Sequence, residues 1–440
     1  MDTNFQQLID QMAEMTDQMT KAGVDVSRMS RRDFMRVAAG VAGAAALAAC
    51  GGGGGSGSGS GVTITQWYHQ YGEAGTEQAV FRYAKAYTAA NVKVSWILGD
   101  YASKLSAALL TPKGPDVFEG SPSLQMVKAN QIVPLDDLYT ADVKSQYTDA
   151  DLAAQTINGK IYGVKIVDDV GLLYYRKSML NSAGVTPPTN IDEVIAAAKK
   201  LTSRNVKGLF LGNDGGIGSM QQILPWSAGS DFLTNNQIVF DNPRTVAAYQ
   251  KLRELNQTNA LLLGSPTDWW DPSAFTQGLA AMQWTGLWAM PAIIKALGND
   301  FGIMPWPAFD TQGKPTTFLG GWSEMVNGKS KHISESKAFV KWLWIDNTAD
   351  QTDFNLNYGF HVPPRKSINT TATKLQSGPA SQAVQFFNQY AKALPPIWDA
   401  AMGTALNDAL SAIVKNGANA ASQVHTAAQK CQTELQSLLS

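Results

Sequence analysis

The feature that most constrains the fold is a regular alternation of extended and helical patterns starting at Val62. "VTITQWY" (62–68) is rich in β-branched and aromatic residues and reads as a buried strand. "EQAVFRYAKAY" (77–87) places Val80, Phe81, Ala84 and Tyr87 at helical spacing. "VKVSWI" (92–97) alternates as a strand, "YASKLSAALL" (101–110) is helical, and "GPDVFEG" (114–120) is a short strand closed by Gly120. Strands alternating with helices argue for an α/β sheet with crossover connections. In such sheets ligands sit beyond the carboxyl ends of the strands. The loops in question are "YHQYGE" (68–73), "GDY" (99–101) and "EGSPS" (119–123).

Farther along, two extended runs flank Asp168–Asp169 in "NGKIYGVKIVDDVGLLYYRKSMLNSAG" (158–184), and the second gives way to a helix. "IDEVIAAAKKLTSR" (191–204) is an amphipathic helix, with Pro187–Pro188 before it and Asn190 as its N-cap. "VKGLFLG" (206–212) is a strand. Residues 243–262 and 273–298 read as mainly helical, 301–307 and 316–326 as extended, and helices dominate from Glu335 to Leu439. No internal repeat is found.

The N-terminal segment addresses location. Arg31, Arg32 and Arg36 precede an apolar run, Val37 to Ala49, of Ala, Gly and Val. Its 13 residues fall short of the roughly 20 needed to span a bilayer, so it reads as a cleavable signal. "SRRDFM" (30–35) resembles the twin-arginine export signal, and "LAAC" (47–50) resembles the lipobox of bacterial lipoproteins, where the Cys is diacylated and becomes the new N-terminus. On this reading residues 1–49 are removed, Cys50 carries lipid, and "GGGGGSGSGSG" (51–61) is a flexible tether. Met29 is an alternative start, and residues 1–28 could alternatively form a short amphipathic helix with its own role.

Charged residues make up only 16% of the chain, against about 25% in ordinary proteins. Beyond residue 49 acidic and basic side chains balance at thirty each. Nothing builds a basic field for nucleic acid, and a monomer is expected. With Cys50 lipidated, Cys431 has no disulfide partner within the chain and is assigned no chemistry. The four histidines are scattered, with no metal-binding spacing. "GNDGGIG" (212–218) lacks the Lys-Ser/Thr of a phosphate loop and misses the dinucleotide spacing. No metal or cofactor is expected.

From about Val62 to its C-terminus the chain resembles the extracellular solute-binding proteins of bacterial ABC importers, in the large carbohydrate-binding family that includes maltodextrin binders. The resemblance rests on the order of "TITQWY", "GPDVFEG", "NGKIYGVKIVDDVGLLYYRKSML", "FTQGLAAMQWTGLW" and "ALNDALSAIVKNGANAASQVHTAAQ". It implies a two-lobe periplasmic-binding-protein fold (type II-like), with the ligand in the cleft between lobes and hinge closure. By analogy the chain crosses between lobes near Val167–Gly171, near Phe301–Pro305 and near Trp342–Asn347. Lobe one is then 62–167 plus 306–342, and lobe two 171–300 plus 347–440. The implied partners are a mono- or oligosaccharide, the transmembrane permease subunits and, through Cys50, the membrane, which places the protein outside the cytoplasmic membrane.

Sugars pack their C–H faces on aromatic rings, and their hydroxyls need donors and acceptors in a largely dry cleft. Twelve tryptophans are present, and most must be core. Trp226 in a Pro/Gly-flanked turn and Trp322 after Gly320–Gly321 are candidates by position. Trp288 in "TGLWAM" and Trp398 after Pro395–Pro396 match aromatics that the resemblance assigns to sugar contact. Trp269 and Trp270, between Asp268 and Asp271, are weaker candidates, while Trp96, Trp342 and Trp344 read as core. Among polar groups, Asp168 and Asp169 lie at the implied crossing, Glu119 follows an apolar strand, and His69 and Tyr71 follow the first strand. Asn213, with Asp214, ends "GLFLG", and Arg365 follows "GFHVPP". Each could instead be structural. The rival readings are a secreted carbohydrate hydrolase, which needs paired carboxylates such as Asp168 and Glu119, and a surface sugar sensor or adhesin. The first reading is of a binding protein, not an enzyme.

Overall fold

A computed structural model describes residues 61–440. The export-signal motifs, Cys50 and Gly51–Ser60 lie outside the described residues. The principal elements are β1 (Thr63–His69), α1 (Thr76–Ala86), β2 (Asn91–Ile97), α2 (Tyr101–Leu109), β3 (Val117–Gly120), β4 (Val164–Val167), β5 (Gly171–Tyr175), α3 (Ile191–Leu201), β6 (Lys207–Phe210), β7 (Ala280–Gly286), β8 (Gly302–Met304), β9 (Trp322–Val326), α4 (Thr348–Leu356), α5 (Ala400–Asn416) and α6 (Ala420–Leu439).

Two sheets organise the chain. The first has the order β2-β1-β3-β9-β4, with β1 parallel to β2 and β3, and β9 antiparallel to both its neighbours. The second has the order β8-β5-β7-β6, with β7 parallel to β6 and antiparallel to β5. β4 and β7 are buried at every residue, as strands covered on both faces are, the polar Lys165 of β4 and Gln283 and Thr285 of β7 included. Here the structure departs from the sequence pattern. The pattern of 273–298 predicts helix, yet Ala280–Gly286 is a central strand; helices do flank it, at Ser273–Thr276 and Met290–Leu297, and a segment this short does not by its periodicity distinguish a buried strand from a buried helix.

Helices cover the sheets through ordinary local chemistry. Asn190 caps α3 by accepting the Glu193 amide at 3.0 Å, with Asp192 and Glu193 in the first turn and Lys199 and Lys200 in the last. Its apolar face, including Val194, Ile195 and Ala198, is buried. α1 buries Ala79, Val80 and Tyr83 in the core of the first half. At the C-terminus α5 turns into α6 through Gly417 in the left-handed region (φ 67°), and Cys431 is buried on the inner face of α6.

The chain passes between the two halves three times, and the passages lie side by side. Asp168 exchanges backbone hydrogen bonds with Val362, Val170 bridges Leu319, and the Gly320 amide donates to the Asp169 carbonyl at 2.9 Å. Gly321 has φ 99°, and a Cβ there would fall 2.0 Å from the Val167 carbonyl oxygen, so only glycine fits. The first passage runs through Asp168–Val170; the other two are displaced from the positions that the resemblance implies. Residues 306–318 remain with the second half: Trp306 packs edge-to-face on Trp284 of β7 at 5.9 Å, and Thr317–Phe318 pairs with Ala391–Lys392. The middle passage is therefore at 319–321, not Phe301–Pro305. Residues 347–358 remain with the first half: Tyr83 donates to Asp353 at 2.6 Å, and Phe354 is in the core of that half. The third passage falls near 359–362, not Trp342–Asn347. In both cases a buried aromatic anchor holds the chain to the half it has not yet left.

Candidate functional site

A cavity of about 780 Å³ opens where the strand ends of the first sheet face the second half, within the range of small-molecule sites. The three loops singled out in the sequence form one of its walls. Gln70, Tyr71, Gly72 and Glu73 come from the loop after β1, Gly99 from the loop after β2 and Tyr101 from the first turn of α2 that follows it, and Ser121 and Ser123 from the loop after β3.

On this wall four rings are clustered. The His69 ring lies 3.9 Å from that of Tyr71 and stacks on Trp322 at 4.0 Å. Tyr101 meets Trp322 edge-on at 6.0 Å. Glu119 sits behind them, fully buried. It accepts from the His69 amide, contacts His69 Nδ1, and accepts from the Tyr71 hydroxyl at 2.8 Å; the Tyr101 hydroxyl donates to the Glu119 carbonyl, also at 2.8 Å. Glu119 thus orients the aromatic wall without lining the cavity. Burial and the Glu119 charge push the Tyr71 phenol well above its ordinary pKa, so it remains a donor. Directly across the strand pair lies Glu324, also buried, whose pKa is pushed up to about 8 by burial and by Glu119.

The opposite wall is aromatic too. Trp269 meets Trp288 edge-on at 5.9 Å, and Trp288 stacks over Phe318 at 6.4 Å. The Trp288 indole N–H donates to the Trp270 carbonyl at 2.9 Å, which fixes the ring. Gly286 makes room for that ring, since a Cβ there would fall 1.8 Å from it. Trp398 closes one end, backed by Phe232 at 5.4 Å and Phe240 at 6.1 Å. At the passages between halves, buried His361 joins Asp169 at 2.6 Å and Glu73 at 3.1 Å.

Of the candidates named from sequence, the cavity brings together His69, Tyr71, Asp169, Trp288, Trp322 and Trp398, together with the weaker candidates Trp269 and Trp270. Others are placed elsewhere, for visible reasons. Asp168 is turned into the first half, where it pairs with Lys165 at 3.2 Å; with Glu119 behind His69, these two carboxylates do not face each other across the cavity. Trp226 lies in the core against Phe232, on a short helix rather than an open turn. Asn213 ties its loop to the carbonyls of Ser265 and Thr267 at 3.0 and 3.2 Å. Arg365 donates to the Ile345 carbonyl and braces the third passage. The cavity also holds Glu73, Tyr101 and His361, which the sequence pattern does not single out. Glu73 stands on a loop that a strand end marks and Tyr101 opens the helix just after one, but His361, in "GFHVPP", gives no signal beyond its proximity to Arg365.

Among the described residues no helix is long and apolar enough to cross a membrane. The family model for bacterial extracellular solute-binding proteins matches residues 78–385. An uncharacterized ABC transporter extracellular-binding protein of Pyrococcus horikoshii is 26% identical over 68% of this chain and 71% of its own. A galactooligosaccharide-binding protein of Bacillus subtilis is 25% identical over 73% of this chain and 77% of its own. An ABC transporter solute-binding protein of Thermotoga lettingae, solved with alpha-D-tagatose, superposes with a TM-score of 0.72 at 20% identity, over 85% of this chain and 99% of that one. The family and these neighbours are binding proteins, and the two-lobe α/β fold is shared with them.

Proposed function

This chain belongs to the family of bacterial extracellular solute-binding proteins, and from that premise we propose that it captures a mono- or oligosaccharide in its cleft and delivers it to the membrane subunits of an ABC importer. The observation that carries this reading is the pair of aromatic walls enclosing a cavity of about 780 Å³ with hydroxyls, amides and carboxylates among them. Sugar rings pack on such faces while their hydroxyls take the polar groups. In this reading Trp288, Trp322 and Trp398 stack on sugar, His69, Tyr71 and Asp169 bond its hydroxyls, and Glu119 holds the wall in place. The protein works as a monomer on the outer face of the cytoplasmic membrane, held by lipid on Cys50. Binding, not catalysis, is its task.

The test is to warm the purified protein with a panel of mono- and oligosaccharides. A bound sugar raises the melting temperature without being consumed, because stabilisation grows as RT ln(1 + [L]/Kd), about 2.7 kcal/mol at a hundredfold excess over Kd. Trp288→Ala and Trp398→Ala are each expected to weaken binding about tenfold or more, since stacking contributes roughly 0.5–1.5 kcal/mol beyond burial. Titration calorimetry reads the loss, and unchanged affinity in both variants removes them from the site. Release of a cleavage product would favour a hydrolase instead.

A further inference from the structure

The cavity wall carries carboxylates but no lysine or arginine. Glu73 and Asp169 share a single cationic partner, His361. Burial alone would push that imidazole's pKa down, but Asp169 and Glu73 outweigh burial and hold it up at about 10, so it is charged at neutral pH. One imidazolium between two carboxylates leaves one negative charge uncompensated. Among the described residues neither Asp169 Oδ2 nor Glu73 Oε2 has a hydrogen-bond partner. At the other end Asp399 adds a carboxylate to the wall while its Oδ1 caps α5 at 2.9 Å. Lys165 is committed elsewhere, to Asp168 and to the Gly320 carbonyl at 2.8 Å. The wall also presents the tryptophan and tyrosine rings described above, whose quadrupoles attract cations, beside aliphatic and amide side chains such as Leu105, Met126 and Gln125.

We propose that the preferred ligand carries a protonated amine: the cleft takes an amino sugar, with its ammonium group at a carboxylate oxygen that His361 leaves free, Asp169 Oδ2 or Glu73 Oε2, and its ring against the tryptophans. This rests on the sugar-binding reading and narrows it. A neutral sugar entering a closing cleft would desolvate the excess negative charge and return only hydroxyl hydrogen bonds. An ammonium group returns charge-assisted ones.

The experiment uses matched pairs at pH 6.5: glucose with glucosamine, galactose with galactosamine, mannose with mannosamine, and cellobiose with the β-1,4 glucosamine dimer and its N-acetylated form. Within a set only the group at carbon 2 changes. Calorimetry is expected to show at least one amine binding tenfold or more tighter than its hydroxyl and acetamide counterparts. The Glu73→Gln variant should shrink that ratio severalfold. A neutral sugar that binds as tightly as its amine overturns this inference while leaving sugar capture intact, as does a ratio unchanged in Glu73→Gln. If neither these sugars nor the wider panel bind, the sugar reading itself falls. The wild-type comparison decides the matter even where the variant folds poorly.

Discussion

Replacing His361 by alanine is expected to destabilise the protein by about 3–5 kcal/mol, the range found when one partner of a buried ion pair is removed. The imidazole is 3% exposed and is the shared partner of Asp169 and Glu73. Without it two carboxylates must lose their charge or admit water at the passages between the halves. Urea unfolding followed by tryptophan fluorescence should show a lowered midpoint. The pH dependence has a definite sign. His361 has a folded pKa held up at about 10, above the ordinary value near 6.5. Its contribution is therefore full below about pH 6.5 and is lost as pH rises through 10. Glu324, raised to about 8, adds a loss of its own between its ordinary value near 4.3 and 8. The wild-type protein should weaken steadily toward alkaline pH. The His361→Ala variant should lose the part of that slope above pH 8. An unchanged slope would mean that the imidazole is not charged in the folded protein.

The second large effect is predicted at Gly208 in β6. A Cβ there would lie 1.9 Å from the Ala198 carbonyl oxygen and 2.5 Å from the Ala198 Cα. Both are backbone atoms of α3, and no flexible side chain can yield. Gly208→Ala must push the helix off the sheet, and overpacking of this kind costs about 1–3 kcal/mol, occasionally more; with backbone on both sides, about 3 kcal/mol is expected. Gly403→Ala is the contrasting case. It lies inside α5 with only the Trp398 indole nitrogen nearby, at 4.0 Å, and alanine there should stabilise by up to about 1 kcal/mol through helix propensity. Thermal unfolding of both variants checks the pair. A Gly208→Ala protein as stable as the wild type would show that α3 and β6 can separate freely.

The strand-loop-helix grammar of residues 62–123 is legible because each element there is short, periodic and punctuated, and the same punctuation picks out the loops at the strand ends. β7 is not legible, because short helices at Ser273–Thr276 and Met290–Leu297 flank it and its polar Gln283 and Thr285 are as buried as its apolar residues, so neither context nor polarity marks two faces. The second and third passages escape a local reading because nothing local announces a change of half. Trp306 and Phe354 hold the chain back through contacts far apart in sequence. The same limit applies to the side chains. Trp322 follows a glycine pair that does bend at a close approach, whereas the similar Pro/Gly context of Trp226 belongs to a core helix. Asp168 and Asp169 are neighbours in sequence yet face opposite ways, a distinction set by strand geometry and the bridge to Val362.

The position of β9 has a consequence for the order of assembly. It lies between β3 and β4, yet some 150 residues separate it from β4 along the chain. During synthesis the first sheet keeps an open slot with two unpaired inner edges until about residue 326 leaves the ribosome. Such edges recruit foreign strands, so truncations ending before that point should aggregate rather than yield a separable lobe.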